Sequence, residues 1–399
     1  MGRRAYFAWA FSTLAAAGAG AVVACGSFDA TSSDDPSGNE AGGSDAPAPV
    51  DGATLDASAP DGDEADGSIP TIPGLCPPPN APSCALGSCT LRTLYVPEVA
   101  AYPFDMATDS AYVYWLEQRG PDVASYNGDS PAAVMRVDRM GAPDNSRATA
   151  LVSGQEKATT LALAPPYLYW ATWDGASSAA SLSRVATACT APCTPQVVGK
   201  YGQRIAKMVG VGTEAVVAIA SDGTVLRLPV SPSGSVGTLS PVMTSSKFPG
   251  LAVTSTHIYA SGLLTNKIAR SDDKGVSVSQ SWVTLGFDGG DLGLTQLATN
   301  CTELFGVHSG GALERVNLAT GAVGHLAELN RAVYGTTADA QFVYLATLNG
   351  GGLLAVAPST GTPIVIDPVS AWAVTTDDMG VYWGVHPGGG GGTIKMLVK

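Results

Sequence analysis

The sequence predicts an all-β fold, and three observations predict it. Charged residues are only 14% of the 399 positions while Gly (48) and Pro (27) are abundant. That balance favours short strands and turns over long surface helices. No stretch of the sequence shows an apolar period of 3.6 residues with capping residues at its ends. The third observation is a phrase that recurs seven times: an apolar start, a turn of Thr, Ser, Ala or Asp, then a strand with an aromatic centre.

The elements follow in chain order. Residues 1–24 read as a signal peptide, with Arg3 and Arg4 at the start and an uncharged apolar or small-residue run from Phe7 to Ala24. The run ends Val22-Val23-Ala24-Cys25-Gly26, which resembles the bacterial lipobox. The resemblance implies that the Cys25 thiol is lipidated and that cleavage frees its amine for a further acyl chain. Each buried CH₂ of such a chain contributes about 0.8 kcal/mol to anchoring. Gly26 and Ser27 follow the cysteine, with no Asp. By resemblance to enteric sorting rules, this points to the outer membrane, facing the periplasm or the surface. An ordinary secretory signal or a single membrane-spanning helix is the rival reading.

Residues 25–72 read as the lipidated cysteine and a disordered acidic tether. Positions 26–72 hold eleven acids and no Lys or Arg, among Gly, Ser, Ala and Pro. So few large apolar groups cannot offset the entropy of ordering. The chain carries a net charge of −13, but from residue 73 onward 23 acids face 19 bases. The body therefore lacks the basic stripe that a phosphate backbone demands, and nucleic acid is not expected as a partner.

Residues 73–89 form a cysteine-rich lead-in. Beyond Cys25 the chain has Cys76, Cys84, Cys89, Cys189, Cys193 and Cys301. An even number in an exported chain suggests disulfides. The spacing of Cys189 and Cys193 suits a local bridge. If the other four all pair, Cys301 reaches back to the N-terminal cluster. Zinc is the rival, but no Cys-x₂-Cys pair occurs and no His lies near either cluster.

Residues 90–399 carry the repeat. Its copies begin at Met106, Leu161, Met208, Leu251, Leu297, Tyr334 and Trp372. Their anchors are Tyr114, Tyr169, Val217, Tyr259, Phe305, Tyr344 and Tyr382, spaced 55, 48, 42, 46, 39 and 38 residues. Most anchors are followed by a strand such as Ala133–Val137, Ser181–Val185, Gly223–Leu228 or Ala312–Val316, then a fourth short strand. Four strands in each such interval is the signature of a propeller blade, so seven copies predict a seven-bladed β-propeller. The last copy shows only three strands, ending with Thr393–Val398, and an orphan strand, Thr90–Val96, precedes the first. The orphan is expected to complete blade seven and close the ring, which removes two open sheet edges.

The Val-Tyr-Trp or Tyr-Val strands and the Gly-x-[Ile/Leu]-x-Arg-[Val/Leu] strands resemble the YVTN/NHL/TolB-like group of secreted bacterial propellers. The resemblance implies the fold. It implies no single activity, because the group hosts lyases, hydrolases and inert scaffolds. The Gly-His and Trp-Asp pairs of WD40 repeats are absent from their strand ends, and Trp173-Asp174 reads as a loop dipeptide.

Candidate chemistry centres on His308 and His386, which occupy matching positions just after the anchor strands of copies five and seven. Both are expected on the top face, where a neutral imidazole could act as base or metal ligand. Streptogramin lyases, similar in fold, use a top-face His with a metal, but no further lyase motif carries residues across. Matching positions also arise from repeat duplication alone, which makes both histidines plain loop residues. Asp109, Asp339, Asp377 and Asp378 are expected to cap their own turns. Trp115, Trp170 and Trp383 are expected in the core. The segment 117–131, with Arg119, Asp122, Tyr126 and Asp129, offers a binding lip. No cofactor, metal or catalytic residue is assigned. The reading is a monomeric, non-catalytic scaffold held to a membrane through Cys25, binding a protein, peptide or glycan on its top face. A metal-assisted lyase or hydrolase and a structural envelope component are the alternatives.

Overall fold

The computed structural model describes residues 82–399, except 83, 85, 87, 98–100, 120–131, 141–147, 156, 175–178, 232, 246–249, 263–265, 273–274, 286–293, 309, 349 and 387–390. The signal segment, Cys25, the acidic stretch, Cys76, and Asp122, Tyr126 and Asp129 of the lip lie outside the described residues.

The described residues form seven four-stranded antiparallel sheets. Blade one comprises β2 (Ala101–Thr108), β3 (Tyr112–Arg119), β4 (Ala132–Asp138) and β5 (Thr149–Val152). Blade two comprises β6 (Ala158–Ala164), β7 (Tyr167–Asp174), β8 (Ala179–Ala186) and β9 (Gln196–Tyr201). Blade three runs through β10 (Ile205–Val211), β11 (Ala215–Ala220), β12 (Thr224–Pro229) and β13 (Ser240–Thr244). Blade four runs through β14 (Leu251–Val253), β15 (His257–Ser261), β16 (Lys267–Asp272) and β17 (Val278–Thr284). Blade five has β18 (Leu294–Thr299), β19 (Glu303–His308), β20 (Ala312–Asn317) and β21 (Val323–Glu328). Blade six has β22 (Val333–Ala338), β23 (Val343–Thr347), β24 (Gly352–Val356) and β25 (Pro363–Asp367). Blade seven joins β26 (Ala371–Thr376), β27 (Gly380–Val385) and β28 (Thr393–Val398) to β1 (Leu91–Tyr95).

The orphan strand therefore closes the ring. β1 pairs antiparallel with β28, setting Leu91 opposite Leu397, Arg92 opposite Met396 and Thr93 opposite Lys395. Leu94 is buried between blades seven and one.

The core is seven slabs, one between each pair of neighbouring blades. This explains why the second strands read as continuous apolar runs. Each is covered on both faces, as every residue of β11 and β27 shows. The three recurrent tryptophans are fully buried. Each indole N–H finds an acceptor: Glu117 for Trp115, Gln155 for Trp170 and Asp367 for Trp383.

The third-strand arginines work between blades. Arg136, Arg184, Arg227, Arg270 and Arg315 lie directly opposite the anchor of their own blade. Arg136 donates to the Thr187 carbonyl of blade two, and Arg315 to the Pro358 carbonyl of blade six. Arg136 and Arg184 also lie over Tyr112 and Tyr167, 4.6 and 4.0 Å from the ring centroids.

Cys189 and Cys193 form the expected local bridge, and Cys84 bridges Cys89. Cys301 is also disulfide-bonded. One sequence expectation is corrected: Trp173-Asp174 is not in a loop. β7 extends through both residues, because they pair with Ala180 and Ala179 of β8.

Candidate functional site at the channel mouth

The first strands β2, β6, β10, β14, β18, β22 and β26 adjoin one another in a ring around a central channel. Each begins at the top face, on leaving the fourth strand of the preceding blade.

Six of these strands carry a one-residue bulge at the same place. The extra residue is Phe104, Thr159, Ala206, Thr295, Tyr334 or Trp372. A bulge bends its strand and re-aims a side chain that would otherwise keep the pleat. Five of the six, all but Thr295, line a cavity of about 290 Å³ near the top of the channel.

Blades six, seven and one bring the rings of Tyr334, Trp372 and Tyr102 to the cavity. Tyr334 lies 5.0 Å from Trp372, and His386, outside the lining, lies 5.4 Å from Trp372 and 4.6 Å from Tyr102. Offset aromatic pairs prefer such spacings. Blade two adds Trp173, and blade one Phe104. Blades two and three also carry the cations Lys157, Arg204 and Lys207, on the loop before β6, the loop before β10 and β10 itself.

Asp105 is the one carboxylate among the described residues of the lining. It is buried, accepting from Thr160 Oγ1 (2.7 Å), the Leu161 amide (2.8 Å) and Lys207 Nζ (3.0 Å). One side chain thus ties β2, β6 and β10 together beneath the mouth. Amides from Gln118 and Gln296 and the hydroxyls of Thr159 and Thr336 also lie in the lining. Thr336 Oγ1 is buried and makes no hydrogen bond to any described residue.

The predicted histidines part company. His386 follows β27 and stands between the rings of Tyr102 and Trp372, which line the cavity, without lining it itself. Burial pushes its imidazole below the usual value, so the ring is neutral at pH 7. His308 ends β19 opposite Leu294 and is buried. The two sit in different blades, five and seven. Among the described residues, no three His, Cys, Asp or Glu side chains converge as a metal site.

Sequence reasoning missed Tyr102, Phe104, Lys157, Trp173, Arg204 and Lys207 as site residues. It also misplaced Tyr334 and Trp372 by equating them with Met106. Met106 pairs with Trp115, and its counterparts are Thr336, paired with Leu345, and Val374, paired with Trp383. Tyr334 and Trp372 lie two residues earlier, at the bulge. The signal was present: ten residues separate them from their anchors, against eight between Met106 and Tyr114.

No protein-family model and no curated protein matches the chain. Solved structures do. The WD40 β-propeller domain of Doa1 is 13% identical with a TM-score of 0.54, over 76% of this chain and 96% of that one. The Cps50 (Swd1) β-propeller domain of Myceliophteria thermophila is 10% identical with a TM-score of 0.51, over 78% of this chain and 100% of that one. At such identities the likeness shows the fold alone. The molecule is a seven-bladed β-propeller.

Proposed function

We propose that this chain is an exported, lipid-anchored binding protein of the YVTN/NHL/TolB-like secreted group, and that its monomeric propeller takes its ligand at the channel mouth. Residues 1–24 direct export, Cys25 carries the acyl chains at the outer membrane, and the acidic stretch to residue 72 holds the propeller off the lipid. The observation that carries the binding reading is the cavity that gathers aromatic rings and cations from five blades. A concave, partly apolar site with a few convergent polar groups is the usual form of a small-ligand pocket. A lyase or hydrolase using His308 or His386 is less well supported, because His308 is buried and the two rings lie in separate blades.

Two experiments test this. Cells fed an alkyne fatty acid should label the wild-type protein and not Cys25→Ser, which should leave the membrane fraction; label retained on Cys25→Ser contradicts the anchor. Immobilised full-length protein should capture envelope material about tenfold better than Trp372→Ala, the loss of one central aromatic contact. Equal capture contradicts the site.

A further inference from the structure

We infer that the channel mouth binds one neutral sugar ring, held by stacking and by amide hydrogen bonds, an inference that rests on the binding reading above. An asymmetry among otherwise equivalent blades carries it.

The same bulge recurs in six blades, but its occupant changes around the ring. Blades six, seven and one place Tyr334, Trp372 and Phe104 there, while blades two, three and five place Thr159, Ala206 and Thr295. Equivalent blades make equivalent demands on packing, so packing alone does not call for rings on one arc and small side chains elsewhere. Thr159 and Ala206 line the same cavity as the rings, and their small size leaves it open. At about 290 Å³ it lies at the small end of ligand pockets, which run from roughly 300 to 1,000 Å³. It holds one ring, not a chain of them.

The rings at the mouth stay partly in water. Trp115, Trp170 and Trp383 are fully buried, whereas Tyr334 is 37% exposed and Tyr102, Phe104 and Trp372 are half-buried. Apolar ring surface left wet is stabilised by whatever covers it. The rings are also tilted in succession: Tyr334 against Trp372 by 40°, Trp372 against His386 by 37°, and His386 against Tyr102 by 30°. A flat aromatic ligand stacks on one such ring and turns away from the next. A puckered saturated ring presents C–H groups in several directions and meets more than one.

Neutral polar groups supply the rest. Lys207 is held by Asp105, and Lys157 and Arg204 make interactions of their own. By contrast, the side-chain amides of Gln118 and Gln296, half-buried in the lining, make no hydrogen bond to another described residue. Each amide offers two N–H donors and a carbonyl acceptor. Sugar hydroxyls donate and accept at once, so they use both; an anion uses only the donors.

The test uses full-length protein in a detergent without a sugar headgroup, read by calorimetry and tryptophan fluorescence. The probes are the methyl glycosides of glucose, galactose and mannose, with cyclohexanol, phenol and D-glucuronate for comparison. The best glycoside should bind about tenfold tighter than cyclohexanol, which has one hydroxyl, and than phenol, which is flat. Glucuronate should bind no tighter than that glycoside. Gln296→Ala should weaken the glycoside about fivefold while Tm stays level, because the amide bonds no described residue. Ala206→Trp, which sets a ring at the open bulge of blade three, should abolish binding. A matching disaccharide that binds tighter than the monosaccharide assigns the end of a glycan; equal or weaker binding assigns a free sugar.

Cyclohexanol or phenol equalling the best glycoside, glucuronate exceeding it tenfold, or unchanged affinity in both Gln296→Ala and Ala206→Trp would overturn the inference. If no glycoside binds while Trp372→Ala still loses capture of envelope material, the ligand class falls and the site stands. If capture too is unchanged, the binding reading falls with it.

Discussion

Asp109, Asp339 and Asp377 each open the turn between the first two strands of a blade. Each accepts two backbone N–H groups and the hydroxyl of the tyrosine five residues on. Burial, together with the neighbouring carboxylate, pushes the Tyr114, Tyr344 and Tyr382 hydroxyls well above their ordinary range, so they remain donors. Asp339 also faces Lys399 Nζ at 3.0 Å, with both side chains buried. Removing one partner of such a pair strands a charge. Asp339→Ala should therefore cost about 3–5 kcal/mol, and Tyr344→Phe, which removes only one hydrogen bond, about 1 kcal/mol. Urea denaturation checks both. His386 gives the pH dependence. Its folded pKa is depressed, so below the usual imidazole value of about 6.5 the unfolded chain binds the proton more readily than the folded one. Stability should fall as pH drops from that value towards the folded pKa, and His386→Gln should remove that component of the Tm-against-pH curve. A curve unchanged by the substitution contradicts the assignment.

At the scale of the element, the first strands approach one another so closely that some positions admit no side chain. A methyl at Gly210 of β10 would run into the carbonyl oxygen of Leu163 in β6. Gly210→Ala should destabilise by about 1–3 kcal/mol, read as a lower urea midpoint, because only a backbone shift relieves the clash. The strands themselves are legible in the sequence. Their aromatic anchors and opposed arginines recur, and the runs around Val217 and Tyr382 are apolar without alternation because both faces are covered. The turn carboxylates are legible for the same reason, since they serve their own backbone. The mouth is far less so. Tyr334 and Trp372 sit at a bulge, the place Phe104 takes in blade one, and a bulge inserts a single residue that no local pattern marks. Lys157, Arg204 and Lys207 lie apart in sequence from the rings of Tyr102 and Trp372. They line one cavity because the ring of blades brings them there. Trp173 looks like a loop residue because nothing local shows that β7 runs to Asp174.

The whole molecule depends on closure. A fourth strand from residues before blade one supplies the outer edge of blade seven, so the slab between blades seven and one includes Leu94 and Ile394 as well as Trp115 and Tyr382. Without that strand, β28 would present an unpaired edge. The channel mouth spans the same junction, since His386 of blade seven packs on Tyr102 of blade one. The most direct test is hydrogen exchange on the intact chain. Backbone amides of Leu91–Tyr95 that face β28 should be protected to within about tenfold of those in β21, the corresponding outer strand of blade five. Exchange of β1 at the rate of an unstructured peptide, while β28 stays protected, would contradict the closed ring.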